Sequence, residues 1–386
     1  MSNSEFGSIS FDLPKNQSNV IKVIGVGGGG SNAINHMFKQ GIKGVDFIVC
    51  NTDSQALQNS AVPNKIQLGV NLTEGLGAGA NPDVGQQSAI ESISDIEKML
   101  DQNTKMVFIT AGMGGGTGTG AAPVIAEIAR GLGALTIGVV TKPFAFEGRR
   151  RAVQAENGVQ RLKEKVDTLI VIPNDRLLTI ANDKTSLVNA FRMADEILLQ
   201  GVSGITNLIT TPGLINTDFA DVKMILTAAG SALMGVGVAS GDNRAVVAAK
   251  TAISNPMLEA AIDGARGILL NVTGPSSMGL FEVNAAAEVV HGVAHQDANI
   301  IFGTVIDDEM GDEISVTVIA AGFERWDSSS SSQTSFGTRA SSTRSSESRP
   351  SSSVRDIFSD ADPFSGDDDD DFDGKIPEEN FMAEYD

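Results

Sequence analysis

A cluster of six glycines within nine residues, Gly112 to Gly120, is the feature that most constrains the fold of this chain. The cluster follows an apolar stretch at residues 106–110 and precedes a helical pattern near Ala121, so it joins a strand to a helix. Each glycine in regular structure costs about 0.5–1 kcal/mol of stability relative to alanine, because it loses more conformational entropy on folding. A simple connection between a strand and a helix would not need six glycines. Consecutive backbone N–H groups that wrap a phosphate explain the composition. No lysine follows the cluster, so the P-loop motif is absent, and phosphate charge would be met by backbone dipoles, threonine hydroxyls and a cation.

Two further glycine-rich segments stand before predicted helices. Residues 25–32 (GVGGGGSN) follow a strand pattern and satisfy G-x-G-x-x-G, and residues 75–81 (GLGAGAN) precede a helix that begins at Pro82. In open α/β sheets, ligands bind at the carboxyl ends of the strands, where these segments would meet. One nucleotide with several phosphates would explain all three segments together. A dinucleotide fingerprint explains only the first segment, for which a tight structural turn is a further alternative.

Strand patterns alternate with helical patterns in the first half of the chain, which predicts a Rossmann-like parallel sheet with helices on both faces. Apolar residues at helical spacing then predict one long central helix, and a second set of strands predicts a smaller α/β domain. The predicted strands are residues 21–26, 45–50, 106–110, 135–140, 168–172, 232–239, 267–273, 298–306 and 313–321. The predicted helices include residues 82–100, 186–209, 244–253 and 282–293.

Half of the net charge lies in the last part of the chain. Residues 327–386 hold 15 acidic and 5 basic residues, a net −10, against −20 for all 386 residues. Serine makes up 14 of the 29 residues at 327–355, and five aspartates follow at 367–371, so we expect a disordered tail. The predicted organisation is a disordered N-terminus (1–18), a nucleotide-binding domain (19–185), the central helix (186–209), a C-terminal α/β domain (210–321), a disordered Ser/Asp-rich linker (322–374) and a candidate docking peptide (375–386).

Composition argues against several classes of protein. The net charge of −20 disfavours nucleic-acid binding, which needs basic surface. A single cysteine, Cys50, excludes an intramolecular disulfide framework and a cysteine-based zinc site, and fits a reducing compartment. The N-terminus lacks the basic start and apolar core of a signal peptide, and the two longest uncharged runs are interrupted by glycine or by polar residues and proline. We therefore expect a cytoplasmic protein without direct membrane insertion.

The glycine cluster contains GGGTGTG, which resembles the signature of the tubulin/FtsZ superfamily. Asn51-Thr52-Asp53, GLGAGANP at 75–82, VTKPF at 140–144, FEG at 146–148 and Asn216-x-Asp218-x-x-Asp221 follow in that family's order and spacing. The chain is similar to the bacterial FtsZ proteins, the tubulin-like cell-division GTPases, over about residues 20–321. The resemblance implies GTP and GDP as ligands, Mg²⁺ with the nucleotide, and head-to-tail polymerisation into the filaments of the division ring at mid-cell.

The resemblance also implies which residues form the nucleotide site. Three loops would surround the phosphates, and Asn51 and Asp53 would lie near the phosphates or their cation. Glu147 and Arg151 would meet the ribose and neighbouring groups, although an acid at a helix start is also explained by the helix dipole. The loop residues are Gly28, Gly29, Gly30, Ser31, Asn32, Ala78, Gly79, Ala80, Asn81, Gly114, Gly115, Gly116, Thr117 and Gly118, joined by Thr141 of the VTKPF segment.

Asn174, Phe191 and Asp195 are the candidates for recognition of the base. Guanine presents two donors, N1–H and the 2-amino group, which one carboxylate can accept, whereas adenine offers no such pair. Phe191 and Asp195 are four residues apart on the predicted long helix, so the ring could stack on the base while the carboxylate reads its edge. Without the resemblance, a core position for Phe191 and a solvated one for Asp195 would be the commoner explanations.

Asn216, Asp218 and Asp221 are the candidate catalytic residues. Two carboxylates and an amide can hold and polarise a water, but the same spacing is typical of an Asp N-cap followed by an acid in the first helical turn. These residues lie beyond the long helix, at its far end from the phosphate loops. The resemblance implies that they enter the nucleotide pocket of the next subunit, so that hydrolysis requires polymerisation.

Two other functions compete with this one. An NAD-dependent oxidoreductase would need an acidic residue at the end of the second strand, where Cys50 and Asn51 stand, and it leaves GGGTGTG unexplained. The aspartates at 218 and 221 argue against a non-catalytic nucleotide-binding scaffold.

His291 and His295 lack the Glu of HExxH and a third ligand, so we predict no metal site made of protein side chains alone. Membrane tethers and regulators of division would bind the tail, whose acidic end departs from the basic end usual in the family.

Overall fold

One mixed sheet runs through the computed structural model, which describes residues 19–180, 185–211, 217–255 and 262–323. Within these ranges the strands lie in the order β3-β2-β1-β4-β5-β6-β7-β10-β8-β9. The pairs are parallel except those of β10, which runs antiparallel to both β7 and β8. The strands are β1 (Ile21–Val26), β2 (Asp46–Asn51), β3 (Asn64–Gln67), β4 (Met106–Gly112), β5 (Leu135–Lys142), β6 (Thr168–Pro173), β7 (Gly230–Ser240), β8 (Gly267–Gly274), β9 (Asn299–Ile306) and β10 (Glu313–Ala321).

Helices cover both faces of this sheet. They are α1 (Gly27–Lys39), α2 (Ser54–Gln58), α3 (Val70–Thr73), α4 (Pro82–Glu91), α5 (Ile93–Leu100), α6 (Thr117–Gly131), α7 (Arg149–Lys163), α8 (Asn174–Ile180), α9 (Leu187–Thr210), α10 (Phe219–Leu226), α11 (Arg244–Ile253) and α12 (Leu280–His291). Short 3₁₀ turns lie at Ala145–Glu147, Ile262–Gly264 and Asp308–Met310. None of the helices in the described ranges has the length and apolar character that a membrane span requires.

The central strands are buried on both sides, as expected for a parallel sheet between helical layers. In β4, Phe108 packs on the face covered by α1 and α9, whereas Val107 and Ile109 pack on the face covered by α6 and α7. The parallel sheet and the α/β class predicted from the sequence are therefore confirmed.

The long helix α9 joins the two halves of the fold. Its buried residues Leu198, Val202 and Ile205 belong to a core that contains Phe108 of β4 and also Ile319 of β10. The halves also share the sheet itself, through three residue pairs between β6 and β7. A separate core forms on the other face of the second half, where α11 and α12 pack on β8 and β10.

The structure corrects the helix predicted over residues 82–100. Two helices, α4 and α5, occupy this stretch, and the break between them is at Ser92. The Ser92 hydroxyl accepts a hydrogen bond from the Gly69 N–H at 3.1 Å, which ties this point to the segment after β3. No sequence pattern predicts the short elements β3, α2 and α3. The predicted disordered N-terminus, the linker beyond Phe323 and the docking peptide lie outside the described residues.

Candidate functional site

Two glycine-rich helix starts meet at the carboxyl ends of β1 and β4. The first turn of α1 is the run Gly27 to Gly30, which follows β1 directly, and α6 begins at Thr117 just beyond β4. A β-carbon on Gly27 would lie 2.7 Å from the backbone nitrogen of Gly118 in the first turn of α6, so a side chain at this position would push the two helix starts apart. The glycine run therefore allows two helix N-termini to converge on one point.

The loop of residues 74–81 forms the third side of this point. A β-carbon on Gly116 would lie 2.8 Å from the Ala78 Cβ and 2.9 Å from the Asn81 nitrogen, so the loop packs directly on the glycine cluster. Asn81 then caps α4 by accepting the N–H of Asp83 at 3.0 Å. Thr52, which follows β2, joins the same assembly through a 2.7 Å hydrogen bond between its hydroxyl and that of Thr117.

The surface formed by these loops suits an anion. β-Carbons placed on Gly28, Gly79 and Gly115 would have no atom within 4 Å, so these backbone segments face open space. The first N–H groups of a helix have no partner within the helix and carry partial positive charge, which favours phosphate. The Ser31 hydroxyl is buried with no hydrogen-bond partner among the described residues. The three predicted phosphate loops thus converge on one site, where the first backbone N–H groups of the helices have no partner within the helix.

Two adjoining cavities form a cleft along this edge of the sheet. One, of about 400 Å³, is lined by the glycine cluster, Ala80 and the start of α7. The other, of about 130 Å³, extends from Gly29 and Asn32 towards β6 and α9. Glu147 and Arg151 line both cavities and so stand at their junction. Thr141, at the end of β5, lines the second cavity.

Asn174, Phe191 and Asp195 lie together at the far end of the second cavity. The Asn174 side-chain oxygen is buried with no hydrogen-bond partner among the described residues, so an acceptor is available there. The Phe191 ring is 42% exposed and makes an edge-to-face contact with Phe144, with ring centroids 5.4 Å apart. The site therefore offers an aromatic surface beside polar acceptors, as a planar base requires.

Asp195 is the residue of this group whose electrostatics are most perturbed. Burial raises the pKa of the Asp195 carboxyl to about 6, because desolvation disfavours its charged form, and the charge of His36 on α1 acts in the opposite direction. His36 itself contacts Glu196, the next residue of α9, at 3.1 Å. A partly buried carboxyl near a cleft is typical of a functional site.

Glu147 is held by the protein on two sides. Its Oε1 accepts the Phe144 N–H at 2.9 Å, and its Oε2 pairs with Arg151 Nη1 at 2.9 Å. The first contact closes the turn before α7, as the helix-start explanation requires. The second keeps the Arg151 guanidinium in the cleft, where it can also meet a ligand. The geometry of Glu147 therefore fits both roles predicted for it, the structural role at a helix start and a role beside a bound ligand.

Asn51 and Asp53 lie at the edge of the phosphate loops and have structural partners. The Asp53 Oδ1 accepts the N–H groups of Gln55 and Ala56 at 2.9 and 3.1 Å, so this carboxylate caps α2. Asn51 is buried at the end of β2, and its Oδ1 accepts the Asp53 N–H at 3.3 Å. Neither side chain lines the two cavities described above.

Asp218 and Asp221 lie away from the cleft, on α10. Asp218 is the N-cap of this helix, and its Oδ1 accepts the Asp221 N–H at 2.8 Å. The far end of α10 reaches the amino end of β6, where the Thr168 hydroxyl donates to the Leu226 carbonyl. The phosphate loops are at the carboxyl ends of β1 and β4, so the last turn of α10 contacts the opposite edge of the sheet. At the other end of α10, the hydroxyl of Thr217, next to Asp218, donates to the Phe302 carbonyl of β9 at 3.3 Å. The third residue of the predicted set, Asn216, lies outside the described residues.

The cleft also contains residues that the motif search missed. Gln154 follows Arg151 by one turn of α7, and Leu198 follows Phe191 by two turns of α9, so helical spacing from the predicted residues could have found both. Met113 and Pro143 lie inside recognised motifs and line the second cavity. In the described part of the chain, no group of three or more His, Cys, Asp or Glu side chains is arranged to hold a metal ion.

Comparison with known proteins identifies relatives of this chain. Residues 20–182 match the Tubulin/FtsZ family, GTPase domain, and residues 230–324 match the FtsZ family, C-terminal domain. An empty FtsZ dimer from M. jannaschii is 42% identical, with a TM-score of 0.76 over 81% of this chain and 90% of that chain. A tryptophan-to-tyrosine mutant of FtsZ from M. jannaschii is 43% identical, with a TM-score of 0.76 over 78% of this chain and 90% of that chain. CetZ2 from Haloferax volcanii, solved as a GTPγS-bound protofilament, shares the fold at 19% identity, with a TM-score of 0.67 over 79% of this chain and 93% of that chain.

The raised pKa of Asp195 predicts a pH-dependent difference between the wild type and Asp195→Asn in the absence of ligand. A carboxyl whose folded pKa lies above its unfolded value of about 3.9 stabilises the fold at low pH, and this contribution is lost as pH rises through about 6. The neutral amide has no such titration, so the melting temperature of Asp195→Asn should rise relative to that of the wild type between about pH 4 and pH 6.5, and the difference should stay level at higher pH. Thermal melts across this range check the prediction, with the exposed Asp242→Asn as control. A constant difference across the range would contradict it.

Proposed function

The chain belongs to the tubulin/FtsZ family, and on that premise we propose that it binds GTP in the cleft, hydrolyses it to GDP and phosphate, and polymerises head-to-tail. We further propose that the filaments form the cytoplasmic ring that divides the cell. The observation that carries the proposal is the position of α10 relative to the phosphate loops: the loops lie at the carboxyl ends of β1 and β4, whereas the last residue of α10, Leu226, bonds to the amino end of β6, and Thr217, next to Asp218, bonds to β9.

The phosphates would lie against the helix N-termini of α1 and α6 and the loop of residues 74–81. Backbone N–H groups would supply neutral donors there, and Arg151 would supply positive charge at the junction of the two cavities. Mg²⁺ binds oxygen ligands and keeps several waters, so phosphate oxygens would be its main ligands, with Asn51 and Asp53 nearby. The cation supplies charge neutralisation of the phosphates when it is bound.

The base would occupy the cavity between Asn174 and α9. Asp195 in its ionised form accepts two hydrogen bonds from guanine N1–H and the 2-amino group, whereas adenine cannot provide this pair. Phe191 supplies the aromatic surface on which the base stacks, and Phe144 supports its ring. Guanine recognition requires the Asp195 carboxyl to be ionised. Because the pKa of this carboxyl is about 6 in the empty cleft, the affinity for GTP should weaken below that pH.

Hydrolysis would take place between two subunits. A chain cannot bring Asp218 and Asp221 to its own nucleotide, because α10 lies against the opposite edge of the sheet. A second copy stacked in the same orientation can, because its α10 would then face the phosphate loops of the first. In this proposal Asp218, which is exposed, and Asp221, which is half-buried in the first turn of α10, would together hold and polarise a water for the attack on GTP.

An interface that joins opposite edges of identical subunits is heterologous, and such contacts build open filaments when the rotation does not close. The same contact would complete the active site, so polymerisation and hydrolysis are coupled. Membrane tethers and regulators would bind outside this interface, and we assign them to the acidic tail, of which residues 375–386 are the candidate docking peptide.

We expect GTP hydrolysis per molecule to depend on protein concentration. Isolated subunits hold an incomplete site, so the rate should stay near zero below a threshold and rise where filaments form. Phosphate release and light scattering across one concentration series check this prediction. A rate per molecule that is constant across the range where filaments appear would contradict the shared site.

We expect Asp221→Ala to lose hydrolysis while it keeps nucleotide binding. Loss of a general base or water-holding group costs roughly 10²- to 10⁴-fold in rate. The N-cap contact of Asp218 uses the backbone N–H of residue 221, which alanine retains, so α10 should still form. Equilibrium binding of fluorescent GTP and steady-state hydrolysis separate the two effects, with Asp242→Ala as control. Loss of GTP binding in Asp221→Ala would place this residue in the binding site instead.

A further inference from the structure

Gln154 connects two walls of the cleft that are distant in sequence. Its side chain extends from α7, and its Nε2 donates to the Ala80 carbonyl at 3.3 Å, across 74 residues of chain. Both residues line the larger cavity, together with Gly114, Gly115 and Gly116. The Gln154–Ala80 hydrogen bond therefore closes a ring of three segments: the loop of residues 74–81, the glycine cluster and the start of α7.

The other hydrogen bonds of this loop lie within it or on its β2, α3 and α4 side. The Gly75 carbonyl accepts the Ser54 N–H at 3.0 Å, and Asp53 and Leu76 form an isolated β-bridge. At the end of the loop, Asn81 caps α4 by accepting the Asp83 N–H at 3.0 Å. These contacts fix the two ends of the loop. Gln154 adds a hydrogen bond to the part between them, at Ala80 beside the cavity.

The backbone at this point is under strain. Ala80 has a φ of +57°, in the left-handed region that costs a non-glycine residue about 1–2 kcal/mol. A strained residue persists where its surroundings hold it. The hydrogen bond to the Ala80 carbonyl is such a restraint, and its loss would remove the direct hydrogen bond between this loop and α7.

We propose that Gln154 is a positioning residue of the nucleotide cleft, and that its hydrogen bond to Ala80 holds the loop of residues 74–81 over the phosphates and slows nucleotide release. This inference rests on the proposed binding of GTP and GDP in the cleft. A nucleotide in the larger cavity leaves when the three segments part, and the Gln154–Ala80 hydrogen bond joins two of them. Gln154 acts through the loop and not on the reacting atoms.

The test is the release rate of mant-GDP, a fluorescent nucleotide, measured by stopped flow below the concentration at which filaments form. Gln154→Met keeps the length of the side chain and removes the donor, and Gln154→Lys restores a donor. Gln160→Met makes the same change at an exposed position further along α7 and serves as the matched control. One hydrogen bond corresponds to roughly a two- to tenfold change in rate.

We expect release from Gln154→Met to be two- to tenfold faster than from the wild type, with an unchanged association rate constant and melting temperature. Gln160→Met should release mant-GDP at the wild-type rate, and Gln154→Lys at that rate or more slowly, because the lysine charge also attracts phosphate. Unchanged release from Gln154→Met, or equally fast release from Gln154→Met and Gln154→Lys, would overturn the role of the hydrogen bond while the wild type still binds mant-GDP. A wild-type protein that binds no mant-GDP would overturn the proposed function itself, and this role with it.

Discussion

The approach of Gly27 to Gly118 is the contact on which the rest of the site depends. A β-carbon at residue 27 would lie 2.7 Å from the Gly118 nitrogen, so the helix starts that follow β1 and β4 can converge because side chains are absent there. The convergence gathers backbone N–H groups from two helices at one edge of the sheet, and the loop of residues 74–81 adds a third wall through its contact with Gly116. Phosphate charge can thus be met chiefly by dipoles that the fold itself orients.

The second dependence is the rigid link between the two halves of the chain. The apolar face of α9 packs on strands from both halves, and the same helix carries Phe191 and Asp195 near its start. Phe191 and Asp195, which would read the base, are therefore fixed relative to the sheet. The same is true of α10, which follows α9 in the chain. The last turn of α10 contacts the edge opposite the phosphate loops. In the proposed function, this geometry is the reason that one subunit would need the α10 of a second subunit to complete its active site.

Much of this arrangement could be predicted because it is local in sequence. Alternating apolar strands and helical patterns predict β1, β4, β5 and α9, and glycine composition predicts the three loops that converge at the carboxyl ends of the strands. The break at Ser92 could not be predicted, because it depends on a hydrogen bond to Gly69, 23 residues away. The contact between Gln154 and Ala80 was missed for the same reason, since it joins segments 74 residues apart. The capping role of Asp53 could not be singled out, because the Asn51-Thr52-Asp53 motif equally predicts a residue near the phosphates or their cation.

The shared active site is the central claim, and complementation between two variants tests it most directly. Asp221→Ala keeps an intact cleft and lacks the carboxylate, whereas Gly116→Ala keeps the carboxylate and carries a β-carbon 2.8 Å from the Ala78 Cβ, which should displace the loop over the phosphates. Thermal melts confirm that both variants are folded, and GTP hydrolysis is then measured for each alone and for an equal mixture. The account predicts that the mixture hydrolyses GTP faster than the sum of the separate rates, because Asp221 of one variant meets GTP bound by the other. A rate equal to that sum would contradict it.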